Sequence, residues 1–162
     1  MAYSQGDYGS ARTYQEESQT IFREIGDPLG IAHSLNNLGL VACAQGDYAS
    51  SRANHEESLA IRRDIGDSLG IANSLEGFAA LAAREHRSEQ AAVLWAAAEA
   101  LREQIDAPLP PGDREAHDQK VVPVRQALGE EAFSAAWAAG AAMTIEQAMD
   151  AALQVPGSER HP

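Results

Sequence analysis

Gln45-Gly46-Asp47-Tyr48 restates Gln5-Gly6-Asp7-Tyr8, and the sequence on either side restates itself at the same offset of about 40 residues. Glu16-Glu17-Ser18 returns as Glu56-Glu57-Ser58, and Ile25-Gly26-Asp27 as Ile65-Gly66-Asp67. Leu29-Gly30-Ile31-Ala32 returns as Leu69-Gly70-Ile71-Ala72, with Ser34-Leu35 echoed by Ser74-Leu75. A third, diverged copy places residues 88–105 where 48–65 stand, and Pro108-Leu109 where Ser68-Leu69 stand. Beyond this the pattern fades. A period of this length marks stacked structural units, so the architecture follows from what one unit is.

Within the unit a second rhythm runs, because Gly-Asp pairs occur at Gly6-Asp7, Gly26-Asp27, Gly46-Asp47 and Gly66-Asp67, about 20 residues apart. Glycine can adopt the left-handed conformation that closes a helix, and the aspartate carboxylate can accept from the free N–H groups that open the next one. Pro28 after Asp27 fits a first helical position, where a missing N–H is harmless. Helices are therefore predicted near 7–25, 28–45, 48–65, 68–84 and 88–105, each turning back on the last. Such a hairpin cannot bury its apolar stripe alone. The prediction is an all-α fold of antiparallel helical hairpins stacked as a short right-handed solenoid over residues 1–109.

Composition agrees and narrows the function. Of 162 residues 44% are hydrophobic but only 6% aromatic, a balance suited to helices packed closely through small side chains. The net charge of −12 would repel a phosphate backbone or an anionic membrane surface, so neither nucleic acid nor membrane is expected as a partner. One cysteine, Cys43, precludes an internal disulfide framework, and its neighbours Ala32 and Gly39 on the same helical side point to close packing. No apolar run reaches the length of a membrane span and Met1-Ala2-Tyr3-Ser4 does not read as a secretion signal, so a cytoplasmic location is expected.

Catalytic constellations are missing from the reading. His55-Glu56 lacks the second histidine of a zinc-protease helix, since Leu59 stands four residues on. His33, His86, His117 and His161 show no ligand spacing, and Glu16-Glu17 and Glu56-Glu57 fall on adjacent helix positions, not across a cleft. No glycine-rich loop leads into Lys-Ser or Lys-Thr. The expectation is a non-enzyme with no cofactor and no metal.

Asn36-Asn37-Leu38-Gly39, then Gln45-Gly46-Asp47-Tyr48 and the Glu56-Glu57-Ser58-Leu59-Ala60 run, resemble the long-helix variety of tetratricopeptide repeat over about residues 5–105. The chain as a whole, with Trp95-Ala96-Ala97-Ala98-Glu99-Ala100-Leu101-Arg102, Pro108-Leu109-Pro110-Pro111 and Leu128-Gly129-Glu130-Glu131-Ala132-Phe133, looks like the C-terminal end of certain bacterial regulators. Those regulators join a predicted ATPase and such repeats to a LuxR-type DNA-binding or nucleotide-cyclase output domain. No residue here resembles the ATPase or output parts. The resemblance therefore implies a repeat module that binds a protein or peptide partner, as a regulatory or scaffolding segment.

The two ends differ from the middle. Met1-Ala2 aligns with Val41-Ala42, which reads as the last turn of a helix from a truncated first repeat. The apolar stripe of the first complete helix would then be uncovered, making Tyr14 and Phe22 candidates for homodimer formation. Residues 110–154 are expected to cap the solenoid: a helix over 112–128 interrupted or kinked by Pro123, one from Glu130 with Phe133 and Trp137, and one after the capping box Thr144-Ile145-Glu146-Gln147. Residues 155–162 read as a flexible tail.

On the second helix Ile31, Leu35, Leu38 and Ala42 share a core face, and His33, Asn37, Leu40 and Ala44 lie nearly opposite. The resemblance places that opposite stripe in a concave groove, continued one repeat on by Asn73, Gly77, Ala80 and Arg84. The groove candidates are His33, Asn36, Asn37, Leu40, Asn73, Glu76 and Arg84, with Asn37 able to clamp peptide backbone through its amide. Gly77 supplies no second amide rung. Two alternatives stay open: a small-molecule sensor near Trp95 and Trp137, and a homodimerisation module.

Overall fold

Three of the four Gly-Asp pairs turn the chain as their chemistry dictates. Gly26, Gly46 and Gly66 are left-handed, with φ of 68°, 80° and 69°. Asp27, Asp47 and Asp67 accept hydrogen bonds from the N–H groups of Gly30, Ser50 and Gly70 at 3.2, 3.2 and 2.9 Å. The structure, a computed structural model, describes residues 5–154. Its helices are α1 (Gln5–Ile25), α2 (Pro28–Ala44), α3 (Tyr48–Ile65), α4 (Ser68–Arg84), α5 (Ser88–Gln104), α6 (Pro111–Leu128), α7 (Glu130–Ala141) and α8 (Ile145–Ala152). The readings of Met1-Ala2 and of the tail 155–162 lie outside the described residues.

Three boundaries depart from the Gly-Asp rule. Gly6-Asp7 sits inside the first turn of α1 and not at a turn between two described helices. In the third copy the left-handed positions are held by His86 (φ 60°) and Asp106 (φ 54°), without glycine, and Arg87 at the N-cap of α5 makes no side-chain cap bond. The turn geometry outlives the residues that favour it because the packed helices on either side impose it.

Each of α2, α3, α4 and α5 packs against its neighbours in order, giving the all-helical repeat stack that the period predicts. The seam between units is unusually polar. Ser51, His55, Ser58 and Arg62 form one stripe of α3, and all four are buried. Ser51 Oγ donates to the carbonyl of Gly39 and Ser58 Oγ to that of Ala32, both at 2.7 Å, while Arg62 donates to the Gly70 carbonyl and to Ser74 Oγ. These bonds tie α3 to α2 on one side and α4 on the other, and they satisfy groups whose burial would otherwise be costly. His55 fills the space between two glycines: a Cβ at Gly39 would lie 2.7 Å from its ring and one at Gly77 2.5 Å. Small residues there are a packing requirement.

The main core gathers on α4 and α5, with Leu75, Phe78, Leu94, Trp95 and Leu101 buried together with Val124 of α6, Phe133 of α7 and Met149 of α8. α6 runs unbroken through Pro123, which is exposed. α7 packs chiefly on α5, where Gly140 lets the backbones approach closely, and Phe133 stacks on Trp137 at 5.3 Å. The Thr144 capping box opens α8, which lies on α4 and α5; Gln90 donates to the carbonyl of Ala151 at 3.0 Å.

Candidate partner-binding groove

The repeat register builds a cavity of about 840 Å³ along the inner helices. Leu40 of α2, Ala80 of α4 and Lys120 of α6 are equivalent positions in successive copies, and all three line it. So do Ala44, Arg84 and Val124, and likewise Cys43, Ala83 and Pro123. Tyr8, Ala11 and Gln15 of α1 and Trp95 of α5 add to the lining. α6 thus continues the series begun by α2 and α4, although its sequence has lost the repeat pattern. The same register pairs Trp95 edge-on with His117 at 5.8 Å, where the preceding copy pairs His55 with Gly77.

The electrostatics of this lining run against the chain as a whole. In a sequence with 24 acidic and 12 basic residues, the cavity is lined by Arg84, Lys120 and His86 and by no aspartate or glutamate. Arg84 is exposed, and its one hydrogen bond is a long one, 3.5 Å, to the carbonyl of Ala44. Burial pushes the Cys43 thiol above its usual range; Arg84 and, more weakly, Lys120 oppose this, which places both cations near the same point. Glu85 also lies near Cys43, but its carboxylate is held by Arg52 and Arg87 at 2.7 and 2.6 Å.

Two-helix repeats, a row of inner helices and a cavity along that row give the geometry against which the family comparison is set. Residues 30–104 match the tetratricopeptide repeat. The match spans α2 from Gly30 through the end of α5, just under half of the chain. No curated protein and no solved structure matches the chain. Tetratricopeptide repeats generally bind protein partners and are typically non-enzymatic. Among the described residues no helix is long and apolar enough to cross a membrane.

The residues that sequence reasoning assigned to the groove divide into two groups. Asn37, Leu40 and Arg84 line the cavity, and exposed His33 shares a 3.3 Å hydrogen bond with Asn37 beside it. The others are placed differently. Asn36 is buried, one position round the helix from the groove stripe. Asn73 and Glu76 both accept from Arg102 of α5 at 2.6 Å, and this buried guanidinium turns them toward α5 and α6 and away from the cavity. Gly77, read as an absent rung, is seated on His55.

On α1, Tyr14 is 67% exposed, but Phe22 is half-buried with its ring against Gly30, where a Cβ would clash with it. The uncovered apolar residues of that helix are Tyr14, Ile21 and Ile25. Lys120, Pro123 and Val124 were not legible because the repeat pattern fades beyond residue 109. Carrying the same offset one copy further would have aligned them with Ala80, Ala83 and Arg84.

Proposed function

We propose that this chain is a protein-interaction module that seats a segment of a protein partner along α2, α4 and α6, as a regulatory or scaffolding part of a signalling or transcription regulator. The observation that supports the binding mode is the cavity itself: three successive inner helices present equivalent residues to one concavity of about 840 Å³, a volume within the range of about 300–1,000 Å³ common for ligand sites. Its walls are mostly apolar, with Asn37 and Gln15 offering amides to a backbone. The regulatory part of the reading rests on the likeness of residues 95–102, 108–111 and 128–133 to bacterial regulators.

The test fills the groove. Peptides selected from a displayed random library on the full chain are expected to bind an Ala80→Trp variant at least about tenfold more weakly, because the indole occupies the space the peptide needs. Circular dichroism should show unchanged helix content, since Ala80 is only half-buried. Peptides that bind both proteins equally well would place the interaction elsewhere.

A further inference from the structure

Among the described residues, arginines are generally neutralised. Arg12, Arg23, Arg52, Arg63, Arg87, Arg102, Arg114 and Arg125 each pair with a carboxylate. Arg62 is spent on the Gly70 carbonyl inside the core. Arg84 and Lys120, the one lysine of the sequence, have no carboxylate partner among the described residues, and both line the cavity.

A guanidinium carries five N–H donors in a rigid fork and an ammonium three, so with only the long bond from Arg84 to the Ala44 carbonyl, most of these donors stay open to a ligand. In a chain of net charge −12 a chance placement would set carboxylates near them. Leu40, Val41, Ala80, Trp95 and Val124 share the lining with the cations, which includes no carboxylate, and nearby Glu85 is held by Arg52 and Arg87.

We infer that the groove takes an acidic, amphipathic segment of a protein partner, its apolar side on Leu40 and Ala80 and its carboxylates on Arg84 and Lys120. This deepens the groove reading above and rests on it. Carboxylate donors of this kind form short charge-assisted bonds to guanidinium and ammonium groups. The surrounding negative surface then acts as a filter, since a basic segment would be drawn to the outside of the solenoid and not into the cavity.

The same displayed random library supplies the test, read for charge. Selected peptides are expected to carry a net negative charge around apolar residues and to bind more weakly as salt rises. An Arg84→Glu/Lys120→Glu double variant is expected to lose on the order of 10–100-fold in affinity for them, with its thermal unfolding unchanged because both positions are exposed. Neutral or basic peptides that are nonetheless blocked by Ala80→Trp would overturn the acidic preference and leave the groove reading standing. Acidic peptides indifferent to both cations would also overturn it. A library yielding no binder sensitive to Ala80→Trp would overturn the groove reading, and this inference with it.

Discussion

A Gly140→Val variant is expected to lose about 3 kcal/mol of stability, the upper part of the range for overpacking a closely packed site. A Cβ at Gly140 would fall within the van der Waals envelope of the Val93 carbonyl oxygen and within 2.9 Å of the Ala96 Cβ. The first of these is backbone of α5 and cannot rotate away, so α7 must move off α5 and carry Phe133 and Ala136 out of the core. Gly9→Ala is the matched control. Nothing lies within 4 Å of a Cβ at Gly9, which is exposed in α1, and removing a helical glycine there should stabilise by roughly 0.5–1 kcal/mol. Urea unfolding of both variants checks the pair; equal midpoints for Gly140→Val and the parent would show that α7 is not held by this approach.

Acid is expected to weaken the fold through one buried imidazole. His55 is fully buried between Gly39 and Gly77, 5.6 Å from Phe78, and neither ring nitrogen has a protein hydrogen-bond partner. Burial, and then the charges of Arg62 and Arg52, push its pKa down to about 4 from the usual 6.5. The folded chain therefore resists a proton that the unfolded chain accepts. This contribution is complete above pH 6.5 and is lost as pH falls toward 4, at about 1.4 kcal/mol per pH unit, or about 3 kcal/mol in all. His55→Gln, the residue found at the equivalent Gln15, removes the titration. The stability difference between the parent and His55→Gln should shrink or reverse by about that amount between pH 6.5 and 4. Parallel pH curves for the two proteins would contradict the placement of His55.

Much of the fold was legible because its signals are local. Gly-Asp pairs set the turns at 26, 46 and 66 through backbone conformation and capping alone, and the Thr144 box opened α8 in the same way. Features that depend on two helices meeting were less legible. The stripe Ser51, His55, Ser58 and Arg62 reads as solvent-facing on polarity, yet each side chain is buried by the groups it bonds or packs against on α2 and α4. Its spacing of four, three and four residues was the available signal, shared with the small residues Ala11 and Ser18 in the first copy and Ala91 and Ala98 in the third.

The groove divides on the same line. Asn37, Leu40 and Arg84 could be found because a helical wheel fixes which side of α2 and α4 faces away from the core. The bonds of Asn73 and Glu76 to Arg102 were not legible, since that arginine stands on another helix. Lys120 was hidden by the divergence of α6, where Pro123 and Lys120 replace the small and apolar residues of earlier copies.

The groove itself is tested most directly by amide chemical-shift mapping of the labelled chain with the tightest peptide that the library yields. Perturbations are expected to centre on Asn37, Leu40, Ala80, Arg84 and Lys120, on three helices far apart in sequence that line the one cavity. Perturbations confined to the outer face of α3, at exposed Glu57, Ala60 and Asp64, would contradict the groove reading.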